Sequence, residues 1–378
     1  MGVFLRHYVL PVSLLSGTII GAGVFSLPFV FTAGGWLTAL GYLAAFGGVF
    51  VLIHLMYADV MFSTDNAAHD FVGYARRYLG AWAGRIAFLM TVVGMILALT
   101  IYLVLSASFS AILLPNQPQG ALVLFFWALG SLLMFLPVRG MAALEALAVL
   151  VIVGIVGIVA AKGLPHIDRL ASVRPLDLRY LFLPFGPVLF SYAGRVAIPS
   201  LLSYLKGEGL PPLHARKIIM WGTVLPGVVY LLFAAGVIGL SNVVSEDAVS
   251  GIVGLSPTLL GTVGVLVLAS LLSSYFVVGV SVIRILEKDL RLSRLASGTL
   301  VIASPVLLYA AGLQNFLVLV GISGGVFIAL EGVFIALMWR KAHEKQVPLL
   351  LSPRWKKAVW ALTLVFIAGA FYEIIRVL

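Results

Sequence analysis

The amino-acid sequence predicts an all-α protein that crosses a membrane many times, and three observations lead to this prediction. The 378 residues are 62% hydrophobic and only 10% charged, and their mean hydropathy is +1.14. A soluble domain is near half apolar and a quarter charged, so this chain would expose large apolar patches in water. The apolar residues form continuous runs instead of the alternating pattern of barrel strands, which indicates helices.

Eleven apolar runs are the candidate spans, since a span needs about 20 apolar residues. They cover roughly residues 8–31, 35–58, 86–114, 120–137, 141–162, 181–204, 217–240, 256–286, 298–312, 315–339 and 357–377. Glycine or proline pairs such as Gly34-Gly35 and Pro211-Pro212 separate many of them. The first run is too long for a signal-peptide core and further spans follow, so we interpret it as the first transmembrane helix. No soluble domain is expected.

The charge distribution predicts an orientation. The net charge is +10, and the basic residues lie between the apolar runs instead of forming one stripe. This distribution favours membrane loops over a nucleic-acid surface. Most Lys and Arg residues fall on one side if the N-terminus is cytoplasmic, so we predict a cytoplasmic N-terminus and an outside C-terminus in a prokaryotic inner or plasma membrane. The exception is the long outside loop 163–180, which carries Arg169, Arg174 and Arg179. The absence of cysteine excludes disulfides and thiolate metal sites.

Two spans concentrate helix-breaking residues near their centres. The first contains Gly17, Gly21, Gly23 and Pro28, and the sixth runs through several glycines and prolines between residues 184 and 199. In a helix interior, glycine costs about 1 kcal/mol and proline about 3 kcal/mol. Broken spans at matching places predict two inverted repeats of five spans, 1–162 and 163–339, followed by a loop and span 11 in 340–378. The alternative for the first span is a small-residue packing face, since glycines 17 and 21 have that spacing.

The breaks themselves predict a binding chemistry. A broken helix leaves free N–H groups at one half-helix end, which attract a carboxylate, and free carbonyls at the other, which attract an ammonium group or Na⁺. Gly21-Ala22-Gly23 carries almost no side chain, so a ligand can approach its backbone closely. The first span is therefore suited to bind both ends of a zwitterion with backbone atoms alone.

Three motifs together resemble one transporter family. They are Gly-Ala-Gly-Val-Phe-Ser-Leu-Pro at 21–28, Phe-Ser-Tyr with Ile-Pro at 190–199, and Ser-Leu-Leu-Ser-Ser-Tyr-Phe-Val-Val-Gly at 270–279. In order and spacing they resemble the amino acid/auxin permease branch of the amino acid–polyamine–organocation superfamily. That branch includes bacterial aromatic amino-acid permeases and system A/N neutral amino-acid transporters. The resemblance covers all eleven spans in layout, is specific only in spans 1, 6 and 8, and implies a LeuT-type fold.

The resemblance also implies a substrate site. The backbone amides of Ala22 and Gly23 would hold the carboxylate of an amino acid. The carbonyls of Thr18, Ile19 and Phe190 would hold its amine. The pocket for the substrate's side chain would be lined by Phe190, Ser191 and Tyr192, with Tyr102 as a further candidate. The alternative for Tyr102 is a packing role in the core.

A coupling cation is implied by span 8. The resemblance places the hydroxyls of Ser273 and Ser274, with Ser270 one turn earlier, opposite the carbonyls of Gly17 and Ile20. Hard oxygens without a carboxylate suit Na⁺. Alternatively, the serines bond to their own helix or to a neighbouring one. The rival coupling ion is H⁺, for which His54, Glu145 and Glu331 are the candidate groups within the spans. No other cofactor is expected.

Arg195 departs from the family, whose aromatic permeases commonly have histidine at this place. A cation deep in a span is costly, by about 3 kcal/mol on insertion scales, so it should face the interior and be paired. At helical rise, Arg195 lies about 21 Å and Glu331 about 24 Å from the predicted outer ends of their spans. We therefore predict an association of the two and a role as an inner gate. The alternatives are a static pair, an arginine bonded to helix carbonyls, or recognition of an acidic substrate.

The sequence as a whole predicts a secondary transporter of a small amino acid that works by alternating access in the lipid bilayer. P-loop, metalloprotease and nucleophile-elbow motifs are absent, so we expect no enzyme chemistry. A filter-like repeat is also absent, which disfavours a channel. No nucleic acid and no obligatory protein partner are expected. Two alternatives remain, a proton-coupled carrier of another small solute and a non-transporting amino-acid sensor.

Overall fold

The chain is almost entirely helical in the computed structural model, which describes residues 2–64, 70–135, 141–344 and 346–377, without the side chains of 141–146. Outside the helices of this described part, the only β pairing is an isolated bridge between Ser241 and Ile252. Among the described residues, eight helices are long and apolar enough to cross a membrane, and a bent pair makes a ninth candidate span. Two shorter apolar helices lie where the remaining spans are predicted, so the fold is consistent with eleven spans.

The helices begin and end within a few residues of the predicted spans. In chain order, spans 1 to 11 are Gly2–Ile19 with Ala22–Gly34, Trp36–Phe62, Ala81–Leu113, Gln119–Leu133, Met141–Gly163, Phe185–Ser191 with Ile198–Gly207, His214–Leu240, Pro257–Asp289, Arg294–Ala310, Phe316–Ala342 and Ala358–Val377. A short helix, Phe71–Leu79, lies between spans 2 and 3. The loop between spans 5 and 6 contains the 3₁₀ helices Leu164–Ser172 and Leu178–Tyr180.

Spans 1 and 6 are the discontinuous helices, as predicted, and they lie inside the bundle. Span 7 packs on spans 1 and 5, span 8 on spans 3 and 5, and the first half of span 6 on span 10. Large side chains with almost no exposed surface, including Phe25, Tyr57, Tyr230 and Trp339, fill the space between them. The division into repeats 1–162 and 163–339 stays a prediction.

A buried carboxylate connects span 2 to the segment before span 11. Asp59 has no exposed surface and accepts a hydrogen bond from the indole N–H of Trp339 at 3.0 Å. It also accepts from the backbone N–H groups of Leu349, Leu350 and Leu351, the shortest at 2.7 Å to Leu350. Because charge-assisted bonds are roughly twice as strong as neutral ones, Asp59 holds this segment against the bundle.

Candidate functional site

Span 1 is interrupted at Ile20 and Gly21, where the backbone is extended (φ −74°, ψ 97° at Ile20; φ −141°, ψ −155° at Gly21). Its two helical parts are bent by 52°. Pro28 lies in the first turn of the helix that follows, where its missing N–H removes no bond. The last carbonyls before the break and the first N–H groups after it, at Ile19 and Ala22, lack partners within their own helices. The break therefore presents acceptors and donors at the same level.

Span 6 is interrupted at the same level as span 1. Its first helix ends at Ser191, and a 3₁₀ turn, Arg195–Ala197, precedes the second helix. A Cβ atom on Gly194 would collide with the side chain of Ile19 and would lie 3.2 Å from Cε1 of His54. Glycine is thus the residue that lets the two breaks approach each other.

Tyr230 of span 7 bonds to both breaks, and the sequence motifs do not indicate it. Its fully buried hydroxyl lies 2.9 Å from the carbonyl oxygen of Ile19 and 2.5 Å from that of Ser191. A phenol has one O–H, so the two carbonyls share a single donor. The hydroxyl therefore links the end of the first half of span 1 to the end of the first half of span 6.

The two breaks border a cavity of about 220 Å³. Six of the predicted substrate residues line it, namely Thr18, Ile19, Ala22, Gly23, Tyr102 and Phe190. Arg195 and Glu331, the predicted gating pair, also line it. The structure thus collects these residues from four spans around one space, while their roles toward a substrate stay predictions.

Ser191 and Tyr192 lie outside this lining, which differs from the sequence-based expectation. The hydroxyl of Ser191 donates to the carbonyl of Pro187 one turn earlier in its own helix, at 2.8 Å. Tyr192 donates to the carbonyl of Leu43 in span 2 at 3.2 Å, and its ring stacks on Phe50. The physical reason is rotation, since successive helical side chains point about 100° apart. Tyr192 packs on span 2 and Ser191 lies against Gly23 of span 1, whereas Phe190 lines the cavity.

Two glycines of span 1, Gly21 and Gly23, differ in the space around them. A Cβ atom on Gly23 would lie 2.6 Å from the hydroxyl oxygen of Ser191, so Gly23 is required by the close approach of span 6. A Cβ atom on Gly21 would meet nothing within 4 Å, and Gly21 lines the cavity. Gly21 is therefore the position where the cavity reaches the backbone.

Spans 3, 8 and 10 supply much of the remaining wall, and apart from Val278 the motifs do not indicate these residues. The apolar lining residues are Met90, Gly94, Met95, Ala98, Val278, Phe327 and Ile328, with Phe71 from the short helix. A Cβ atom on Gly94 would lie 3.4 Å from Cβ of Phe327, so spans 3 and 10 approach closely there. Span 10 has a π-helical turn over Ser323–Ile328, and such turns are frequent at functional sites.

Two hydroxyls of this lining are buried and unused. Thr91 is 9% exposed and Ser323 is 2% exposed, and neither hydroxyl oxygen has a hydrogen-bond partner among the described residues. Burying an unpaired hydroxyl costs about 1–3 kcal/mol. Thr91 and Ser323 are therefore available to bind polar atoms of a ligand in the cavity.

The predicted contact between Arg195 and Glu331 is present. Nε of Arg195 lies 2.8 Å from Oε1 of Glu331, with the side chains 11% and 22% exposed. The N–H bond is not aligned with this oxygen, so the contact is an ion pair more than a hydrogen bond. The guanidinium also lies over the ring of Phe71 at 4.3 Å and near that of Tyr57 at 5.9 Å. The gating role stays a prediction.

The residues predicted to bind Na⁺ are spread over two spans. Ser273 has a buried hydroxyl without a partner in the described part of the chain, whereas Ser270 donates to the carbonyl of Ala148 in span 5 at 3.4 Å. A Cβ atom on Gly17 would lie 3.1 Å from Cγ1 of Val149, so this glycine also has a packing role. Ser274 is half-buried and Ile20 lies in the break. The Na⁺ site stays a prediction.

The candidate proton-binding residues differ in their access to the cavity. Glu331 lines it, whereas His54 is 1% exposed and its Nδ1 lies 2.9 Å from the hydroxyl of Thr223 in span 7. The side chain of Glu145 lies outside the described ones. Glu331 is therefore the candidate that a ligand in the cavity can contact.

Known proteins resemble this chain in sequence and in fold. The model of the tryptophan/tyrosine permease family matches residues 6–375. The fold is similar to a manganese transporter of Eremococcus coleocola (TM-score 0.66, 17% identity, 98% of this chain and 87% of the other). It is also similar to MhsT in complex with L-phenylalanine (TM-score 0.59, 18% identity, 98% of this chain and 98% of the other). A third similar structure is Mhp1, a nucleobase-cation-symport-1 family transporter (TM-score 0.59, 15% identity, 96% of this chain and 91% of the other).

No curated protein matches the chain by sequence. The narrower assignment to the amino acid/auxin permease branch stays a prediction, as does the orientation of the termini. The family model covers nearly the whole chain, and the structural neighbours have a similar fold over 96–98% of it. The chain therefore belongs to the tryptophan/tyrosine permease family, and it is a multi-pass secondary transporter with a LeuT-type fold rather than an enzyme.

Proposed function

We propose that this permease carries a zwitterionic amino acid with a large, mostly apolar side chain, and that an aromatic amino acid is its substrate. The observation that carries the proposal is the cavity of about 220 Å³ bordered by both helix breaks. It combines backbone donors and acceptors at one level with a wall of methionine, phenylalanine and small residues. That combination suits a ligand with two charged ends on one carbon and an apolar remainder.

The backbone of span 1 would hold the charged ends. The amides at Ala22 and Gly23 begin a helix, so they attract the carboxylate, while the carbonyls of Thr18 and Ile19 end one and attract the ammonium group. The carbonyl of Ile19 already accepts from Tyr230, but a carbonyl has two lone pairs and can accept a second bond.

The two unused hydroxyls would act at opposite ends of the substrate. Spans 3 and 10 are antiparallel and meet at Gly94 and Phe327. Thr91 precedes Gly94 by about one turn, and Ser323 precedes Phe327 by about one turn. Because the two spans run in opposite directions, the two hydroxyls lie on opposite sides of this contact, about 10 Å apart along the bundle. Ser323 is level with the breaks, and Thr91 is level with the ion pair. Thr91 would therefore bind a polar atom at the far end of the side chain, such as a phenol or an indole N–H.

The finer substrate assignment has support from two comparisons. The matching family is named for tryptophan and tyrosine, and MhsT, a protein of similar fold, is described in complex with L-phenylalanine. A hydroxyl that pairs with a polar atom discriminates strongly against an analogue lacking that atom, because the buried group is then left unpaired. We therefore propose a preference for tyrosine or tryptophan over phenylalanine.

The coupling ion of the proposed symport is Na⁺, supported by the buried hydroxyl of Ser273, which has no hydrogen-bond partner among the described residues. One observation favours H⁺ as the second candidate: Glu331 is a carboxylate that lines the cavity and is paired with Arg195. Uptake into proteoliposomes separates the two. Na⁺ coupling requires that replacing Na⁺ by choline abolish uptake at constant pH, whereas H⁺ coupling requires that a protonophore abolish it in choline.

Counterflow tests the proposed transport itself. Proteoliposomes loaded with unlabelled tyrosine, tryptophan, phenylalanine or alanine are diluted into labelled tyrosine. The proposal expects accumulation of label with tyrosine or tryptophan inside and little with alanine. Binding without counterflow would instead identify a sensor, and no binding of any aromatic amino acid would refute the substrate assignment.

Isosteric variants test the role of Thr91. Thr91→Val keeps the shape and removes the hydroxyl, so the preference for tyrosine over phenylalanine should fall about tenfold while phenylalanine transport persists. Thr100→Val is the matched control, because Thr100 is buried on the same helix but bonds to its own Ile96 carbonyl at 3.0 Å. An equal loss of this preference in both variants, or an unchanged preference in Thr91→Val, would show that Thr91 does not bind the substrate's side chain.

A further inference from the structure

A second cavity lies away from the substrate site, at the end of the bundle where span 7 ends. It measures about 610 Å³ and lies between the second half of span 1, the loop that joins spans 5 and 6, and the residues after span 7. The loop is the one that carries an excess of arginine on the predicted outer face. Transport through the central cavity leaves this arginine cluster without an explanation.

The charged lining of this cavity is predominantly basic. Arg169, Arg174 and Arg179 line it together with a single carboxylate, Asp177. Bidentate hydrogen bonds from Arg179 hold the pKa of Asp177 well below its usual range, so the carboxylate is ionised at neutral pH. The charged side chains of the lining therefore carry a net charge of +2, from three cations and one anion.

The loop is held in place by its backbone. The carbonyl of Pro175 accepts a bond from Leu37 N–H at 3.0 Å, and the N–H of Asp177 donates to the carbonyl of Gly34 at 3.0 Å. Gly35 has φ +94°, and a Cβ atom there would press on the loop backbone at Pro175. The arginines are thus presented from a fixed segment, which lowers the ordering cost of binding a ligand.

The cavity also contains a buried hydroxyl without a partner. Ser241 is 5% exposed and lines the cavity, and its Oγ has no hydrogen-bond partner in the described residues. Its carbonyl accepts from a terminal N–H of the Arg169 guanidinium at 3.3 Å, which places that guanidinium beside it. A free O–H next to guanidinium groups is a set of donors suited to an anion with several oxygens.

We propose that this cavity binds a phosphate group through Arg169, Arg179 and Ser241. Guanidinium groups match phosphate geometry. The side chains of Arg174 and Arg179 are 72% and 71% exposed, so they remain accessible to an anion although both also bond to Asp177. The exposed side chain of Val243 lines the cavity, and Leu176 and Leu178, the chain neighbours of Asp177, are also exposed, which suits the membrane interface. Two sources can supply the group, the headgroup of an anionic phospholipid and free phosphate.

Thermal unfolding of the purified full-length protein in a non-ionic detergent tests the proposal. The midpoint is followed against phosphatidylglycerol, against zwitterionic phosphatidylcholine, and against inorganic phosphate with chloride at equal ionic strength. A ligand of the native state raises the midpoint. A rise with phosphatidylglycerol alone identifies the lipid, and a rise with inorganic phosphate as well identifies the free anion. If neither raises it beyond its control, the proposal is wrong.

Matched variants separate the site from general charge effects. Arg169→Gln with Arg179→Gln should weaken the anion's apparent affinity about thirtyfold, and Ser241→Ala should weaken it about fivefold. Arg216→Gln with Arg284→Gln is the control, because both arginines are exposed and lie near the opposite ends of spans 7 and 8. An equal loss in the control, or an undiminished response in the first double variant, would overturn the assignment. The variants lie outside the substrate cavity, so counterflow of tyrosine should persist in all of them.

Discussion

The pair formed by Arg195 and Glu331 allows a quantitative test, because its two side chains are close and nearly buried. At 2.8 Å, two unit charges attract by about 6 kcal/mol at an effective dielectric constant of 20. Much of this attraction is offset by desolvation, so the measurable coupling is smaller. Removing one partner strands the other charge and should cost about 3–5 kcal/mol of folding free energy. Arg195→Gln also loses the contact with the ring of Phe71.

The double-mutant cycle follows from these magnitudes. Glu331→Gln and Arg195→Gln should each destabilise strongly, and the double variant should be less destabilised than the sum by about 2 kcal/mol. The free energies are measured by equilibrium unfolding in mixed detergent and SDS micelles. The pair Lys341–Glu344 is the control, since its side chains are 55% and 53% exposed and such pairs contribute less than about 1 kcal/mol. Additivity within about 0.5 kcal/mol for the buried pair would refute the reasoning.

A gate and a static pair differ in one further measurement. The chain contains no cysteine, so Met95→Cys places a single thiol in the cavity wall. A gate predicts that Glu331→Gln increases the rate at which an impermeant thiol reagent on the cytoplasmic side of inside-out vesicles reaches this cysteine. A static pair predicts an unchanged rate at equal folded fraction.

Three further predictions concern the breaks and the bundle. Gly21→Ala directs a methyl group into the cavity, so the KM for transport should rise about tenfold while thermal stability stays normal. Gly41→Ala is the control, because Gly41 is exposed and has equal space, and it should leave KM unchanged. Tyr230→Phe removes the donor that two carbonyls share and should lower the unfolding free energy by about 1–3 kcal/mol, and an unchanged value would show that the hydroxyl does not brace the breaks. Asp59→Asn places an amide donor among four N–H donors and should cost about 2–3 kcal/mol in the same assay, with normal stability contradicting its anchoring role.

The sequence by itself determines the helical membrane fold and the places where spans 1 and 6 break. Both follow from local properties. Continuous apolar runs must form helices in lipid because no water satisfies the backbone. Gly21 weakens a helix interior, and Pro28 is favoured only in the first turn of a new helix. The contact of Arg195 with Glu331 is also predictable, because rise per residue converts sequence position into depth and a buried cation needs a partner.

Only the tertiary structure decides which side chains face the cavity. Phe190 faces it and its neighbours Ser191 and Tyr192 do not, since successive helical side chains point about 100° apart and packing against span 2 sets which of them faces the cavity. Thr91 and Ser323 carry no motif, and their hydroxyls gain a role only because spans 3 and 10 meet beside the breaks. The contact between spans 3 and 10 joins residues more than 200 positions apart, and a single sequence has no local signal for it. The loop arginines show the same dependence, because their charge is visible in the sequence but the cavity they surround exists only once span 7 ends beside them.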